Sequence, residues 1–110
     1  MTYDDDLADR VRAAILDPDG LTERRMFGGH AFLVNGNLAV SASGQGGLLL
    51  RVDPGQTDSL VRDDGVTRFE MRGRSMNGWL HVAASAAATD EQLQQWVEIG
   101  LNYARSLPSK

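Results

Sequence analysis

The stretch His30-Ala31-Phe32-Leu33-Val34-Asn35-Gly36-Asn37-Leu38-Ala39-Val40-Ser41-Ala42-Ser43 is the most informative in the chain. Two short apolar runs, rich in the residues that suit a pleated surface, flank an Asn-Gly-Asn tripeptide that accepts positive φ. This is the local signature of a tight β-hairpin. If Asn35-Gly36 forms the turn, Leu33 faces Leu38; if Gly36-Asn37 forms it, Leu33 faces Val40. Either way strict alternation predicts Ala31, Leu33, Leu38, Val40 and Ala42 on the core side, with His30, Phe32, Ala39 and Ser41 on the other.

Downstream, Gly44-Gln45-Gly46-Gly47 reads as a turn and Leu48 to Val52 as a central strand, ended by Asp53-Pro54-Gly55. A short helix is expected over Gln56 to Arg62, anchored by Leu60 and Val61 and closed by Asp63-Asp64-Gly65. A fourth strand follows from Val66 to Met71 with Phe69 and Met71 inward, then a loop over Gly73 to Gly78. The fifth strand is Trp79 to Ala83, Leu80 and Val82 sharing one face and Trp79 and His81 the other.

Helices are expected at both termini. The first is read over Asp4 to Leu16, where Leu7, Val11, Ala14 and Ile15 share a face and three aspartates meet the positive end of the helix dipole. Asp17-Pro18-Asp19-Gly20 stops it. The last carries Leu93, Trp96, Val97, Leu101, Ala104 and Leu107 as a continuous stripe, ending near Arg105 or Ser106. Thr89 is its N-cap and Gln92 completes a capping box. Ala83 to Ala88 reads as its lead-in. The predicted class is α+β: an antiparallel sheet of about five strands flanked by N-terminal and C-terminal helices, in the order α-β-β-β-(short α)-β-β-α.

At 110 residues, with 42% apolar and 24% charged side chains, residues 1–110 are expected to form one domain around one core. The lack of cysteine excludes disulfides, thiol catalysis and the common structural zinc sites. No apolar run approaches the roughly 20 residues that span a bilayer, and the start of the chain is acidic, unlike a signal peptide. A cytoplasmic protein without membrane contact is expected. The net charge of −4 is unevenly spread: residues 1–23 hold seven acids and two arginines, whereas residues 24–74 hold seven arginines and five acids. A pI near 5.0 argues against sequence-independent binding to duplex nucleic acid, which needs many phosphate contacts.

Familiar catalytic motifs fail on inspection. Gly44 to Gly47 lacks the lysine and following helix of a phosphate-binding loop. Gly73-Arg74-Ser75-Met76-Asn77 resembles a nucleophile elbow but lacks the last glycine and leads into a strand. Asp17 and Asp19 lack the twelve-residue calcium loop. His30 and His81, the only histidines, need a shared carboxylate before they become ligands or bases; Glu23 and Glu70 are the available acids, and no spacing selects them. No catalytic residue, metal ligand or cofactor is expected.

Two segments remain, Arg24-Arg25-Met26-Phe27-Gly28-Gly29 and Met71 to Trp79, which holds Arg72, Arg74 and Met76. Both combine arginine, methionine, an aromatic ring and glycine. Arg24, Arg25, Met26, Phe27, Gly28, Gly29, Arg72, Arg74, Met76 and Trp79 are therefore the candidate surface for a protein partner or an anionic group. The alternative is structural: glycines at bulges and strand starts, with Met26, Phe27, Met76 and Trp79 filling a second small core. Phe32 and Trp79 on the face away from the helices also predict a homodimer.

The same segments carry a resemblance. Met26-Phe27-Gly28-Gly29 before a hairpin, then Leu49-Leu50-Arg51-Val52-Asp53, then Phe69-Glu70-Met71 with Met76 and Trp79, resembles the N-terminal domain of the TfoX/Sxy family over roughly Leu7 to Leu107. The resemblance implies a small α+β domain that regulates without catalysis. The family includes regulators of natural DNA competence in bacteria, which implies a protein partner tied to transcription. Full-length regulators carry a second, C-terminal helical domain that residues 1–110 do not contain, so a stand-alone domain is expected. Nucleic-acid or phosphate binding through the arginines is the alternative function, and a small enzyme using His30 or His81 with Glu70 a third.

Overall fold

Asn35 and Gly36 form the turn, with φ of 53° and 85°, the left-handed pair that a two-residue hairpin requires. They join β2 (Gly29–Val34) to β3 (Asn37–Ser43), with Val34 paired to Asn37 and Leu33 to Leu38. The structure, a computed structural model, describes residues 3–15, 19–26, 29–43, 47–61, 65–71 and 73–108, of which positions 3–5, 26, 71 and 74–77 are described as backbone.

Beyond Leu38 the ladder departs from strict alternation. Phe32 pairs with Val40, so Ala39 is an extra residue on β3 and forms a β-bulge. The bulge corrects the expected faces. Phe32, Ala39, Val40 and Ala42 lie in the main core, while Ala31, Leu33 and Leu38 form a separate buried cluster with Trp79 packed against it. A single inserted residue reverses the inside and outside of everything on one side of it.

The sheet has six strands in the order β1-β2-β3-β4-β6-β5, every pair antiparallel. β4 spans Leu48–Arg51 and β5 Val66–Met71. Two differences from the sequence reading account for the extra strand and extra length. β1 (Leu21–Met26) is an edge strand that the apolar pattern missed, and β6 spans Arg74–Val82, so residues expected as a loop form its first half. In β5 the core residue is Val66; Phe69 is only half-buried and lies outside the main cluster.

α1 (Tyr3–Ala14) and α3 (Asp90–Ser106) cover one face of the sheet. Ala8 and Val11 of α1 and Leu93, Trp96, Val97, Leu101 and Ala104 of α3 meet Phe32, Val40, Leu48, Leu50, Leu80 and Val82. Burying each valine, leucine or phenylalanine among them stabilises by roughly 1.5–3 kcal/mol. The capping box forms: Thr89 Oγ1 accepts from Gln92 N–H and Gln92 Oε1 from Thr89 N–H, both at 3.1 Å. The alanine lead-in becomes a 3-10 turn, Ala84–Ala87, whose Ala86 carbonyl accepts the Trp96 indole N–H at 3.2 Å.

The expected short helix shrinks to a 3-10 turn, Pro54–Gln56, and α2, Thr57–Leu60. Thr57, fully buried, donates its hydroxyl to the Pro54 carbonyl at 3.0 Å and accepts the Gly78 N–H at 2.8 Å, tying this turn to β6. Gly47 has φ of 81° and accepts the Ser43 N–H at 2.9 Å, as a turn residue should. The expected turns at Asp17-Pro18, Gly44-Gln45-Gly46 and Asp63-Asp64 lie outside the described residues, as does Arg62. No helix among the described residues is long and apolar enough to cross a membrane.

Candidate functional site

β1 reads Leu-Thr-Glu-Arg-Arg-Met, and among its described side chains only Leu21 packs against the main core. Thr22, Glu23, Arg24 and Arg25 are exposed. A strand with one neighbour and one apolar anchor has no reason to alternate in hydropathy, so its pairing partner, not its pattern, makes it a strand. Leu21, Glu23 and Arg25 pair with Val34, Phe32 and His30, on the helix side; Thr22 and Arg24 pair with Leu33 and Ala31, on the other.

On the helix side Glu23 joins three elements. Arg12 of α1 grips it with two hydrogen bonds, Nε to Oε2 at 3.0 Å and Nη2 to Oε1 at 2.6 Å, and reaches Asp9 at 2.7 Å. His30 Nε2 lies 2.6 Å from Glu23 Oε1, and the Phe32 ring sits beneath both the imidazole and the guanidinium, at 5.2 and 5.8 Å between centres. The hydrogen bonds from Arg12 hold the Glu23 carboxyl down to about 2, against partial burial, with a further contribution from His30. The same contacts, Glu23 first and Asp9 second, raise the pKa of Arg12. This cluster escaped sequence reading. Its members lie on three separate elements, and no spacing announces them.

The two arginine-containing segments do not meet. Met26 pairs with Gly29, Gly29 with Ser43, Ala42 with Leu48 and Leu48 with Val82, so Met26 and Gly29 lie at the end of the sheet where β6 finishes. Trp79 pairs with Arg51 at the far end of β4, and residues 74–78 extend beyond it, toward the end that holds the Asn35–Gly36 turn. At about 3.3 Å per residue the segments are roughly 15–20 Å apart along the strands and are further separated by three strands. They constitute two surfaces.

Within these segments the glycines have structural roles. A Cβ on Gly29 would sit 2.2 Å from the Ala42 carbonyl oxygen. Gly78 has φ of 84°, donates to Thr57 and accepts the Val52 N–H at 2.8 Å where β6 departs from regular pairing with β5. Trp79 closes the second cluster and has the Arg51 guanidinium 5.5 Å from its ring; the Tyr103 ring lies 5.9 Å from the same group. Arg68 is bound to Asp58. Thus Arg51 and Arg68 are drawn into internal contacts, while Arg24 and Arg25 are exposed on the edge strand. Met26, Arg74 and Met76 are placed by their backbone at the end of β1 and the start of β6. Phe27, Gly28 and Arg72 lie outside the described residues.

His30 and His81 are on opposite faces. His30 shares the helix side with Phe32, whereas His81 pairs with Leu49 and Thr67 on the other side, near Glu70 and Phe69. A single site using both imidazoles is not assembled. Among the described residues, no three histidine, aspartate or glutamate side chains come together as a metal-ligand set.

The helix-covered, six-stranded antiparallel sheet, with its structural glycines and edge arginines, defines a small α+β domain of the kind expected from the motif order. The sequence matches the TfoX N-terminal domain over residues 13–104, most of the chain, and the protein belongs to that family. Comparison with curated proteins and with solved structures finds no match.

Proposed function

We propose that this chain is a non-catalytic regulatory domain that works by binding a protein partner, as expected of a TfoX N-terminal domain. Family membership over residues 13–104 carries the reading. Two arginines, Arg24 and Arg25, are exposed on the edge strand, where a partner can reach them. The finer role, in transcription or competence, follows the family resemblance and a cytoplasmic setting.

The test compares the wild-type chain with an Arg24→Ala/Arg25→Ala double variant as baits. A partner held by the wild type and lost by a variant with unchanged melting supports the reading. Turnover of a substrate that disappears in His30→Ala or His81→Ala would overturn it. Oligonucleotide affinity that falls steeply with salt would instead favour anion binding through the same arginines.

A further inference from the structure

We propose that β1 is the seam of a homodimer, in which a second copy of the chain pairs its own β1 antiparallel to the first about a two-fold axis at Arg24. β1 ends the six-stranded sheet. The turn geometry shows which of its backbone groups point outward. In a two-residue hairpin the flanking pair, here Val34 and Asn37, is hydrogen-bonded across the turn, so Val34 faces β3 and Leu33 faces β1. Asn35 confirms the alternation by donating its N–H to the Gly20 carbonyl at 3.0 Å. Thr22 and Arg24, opposite Leu33 and Ala31, therefore commit their backbone groups to β2, and Glu23 and Arg25 turn theirs outward.

Residues 21–26 contain no proline or glycine, and their register with β2 is unbroken. The safeguards of this edge are the charges of Glu23, Arg24 and Arg25, which the register of a second copy has to accommodate. The opposite edge, β5, breaks register between Arg68 and Glu70, and Arg68 is tied to Asp58.

Outward groups must meet outward groups, which leaves two central registers. Centring on Glu23 sets the two glutamates against each other and Leu21 against Arg25. Centring on Arg24 sets Glu23 opposite Arg25 twice, each a hydrogen-bonded pair, giving four intermolecular backbone hydrogen bonds. Arg24 then lies opposite Arg24 on the sheet face away from α1, and each Glu23 meets an arginine in place of a second carboxylate while still holding its own Arg12 and His30. Charge complementarity selects the Arg24 register, and this self-complementary pattern favours a second copy over a foreign strand. The seam uses the same edge, Arg24 and Arg25, that the partner reading invokes, but its test reads self-association of the chain and not capture of a partner.

The absence of cysteine makes the test clean. In Arg24→Cys the two thiols face each other in a non-hydrogen-bonded pair with Cα atoms about 4.5 Å apart, within disulfide reach. Mild oxidation should give a covalent dimer at least ten times faster than for Glu23→Cys or for the exposed α3 control Glu91→Cys. Arg25→Pro removes one outward N–H and leaves the β1–β2 ladder intact, so it should sediment as a monomer where the wild type dimerises. If Arg25→Pro fails to fold, the cross-linking rates decide alone. Faster cross-linking of Glu23→Cys, equal rates for all three cysteines, or a wild type that stays monomeric at high concentration would overturn the proposal.

Discussion

Glu23 ties α1, β1 and β2 together through Arg12 and His30, and the sign of its pKa shift fixes how acid acts on that link. Because the folded carboxyl titrates near 2, below an ordinary glutamate at roughly 4.3, the contribution is fully present above the ordinary value. It fades as pH falls toward 2. Glu23→Gln should cost about 1 kcal/mol near neutral pH, since the pair is partly exposed, and the difference from wild type should shrink on acidification. Denaturant titrations at pH 7 and pH 3 measure both. Gly100 has a different role. A Cβ there would meet the Ala39 carbonyl oxygen at 2.6 Å and Leu50 Cδ1 at 2.7 Å. Gly100→Ala gains helix propensity yet should lose about 1–3 kcal/mol net through overpacking, read as a lower melting temperature.

Among the elements, α3 was the most legible because everything that defines it is local: a capping box, acids in the first turn and one apolar stripe. Thr89→Ala should destabilise the domain by about 1 kcal/mol in chemical denaturation, by removing the acceptor for the Gln92 N–H. β1 was illegible because an edge strand with a single core anchor shows no alternation. β6 was half legible. Leu80 and Val82 announce its buried end, but Gly78 and its neighbours read as a loop until Thr57 and Val52 are brought alongside to receive the irregular backbone. The expected hairpin formed at the Asn35–Gly36 turn, yet its face assignment failed at Ala39, where Phe32 pairs with Val40 and a period of two cannot hold.

At the scale of the molecule, the locally basic middle segment divides by position. Arg51 and Arg68 hold structure together, and Arg24 and Arg25 remain exposed at one edge. The two segments share a composition, and composition carries no information about which end of a sheet a segment reaches. The open-face homodimer expected from Phe32 and Trp79 loses its basis, because Phe32 is fully buried under the helices and Trp79 covers Ala31, Leu33 and Leu38.

The α+β class, the tight turn, the capped final helix and the family are all readable along the chain, since each depends on residues close in sequence or on a motif order that survives unfolding. The sixth strand, the Ala39 bulge, the Arg12–Glu23–His30 link and the separation of the two arginine segments are not. Strand neighbours, register and charge partners are set by contacts between distant parts of the chain, and these exist only once the sheet has formed.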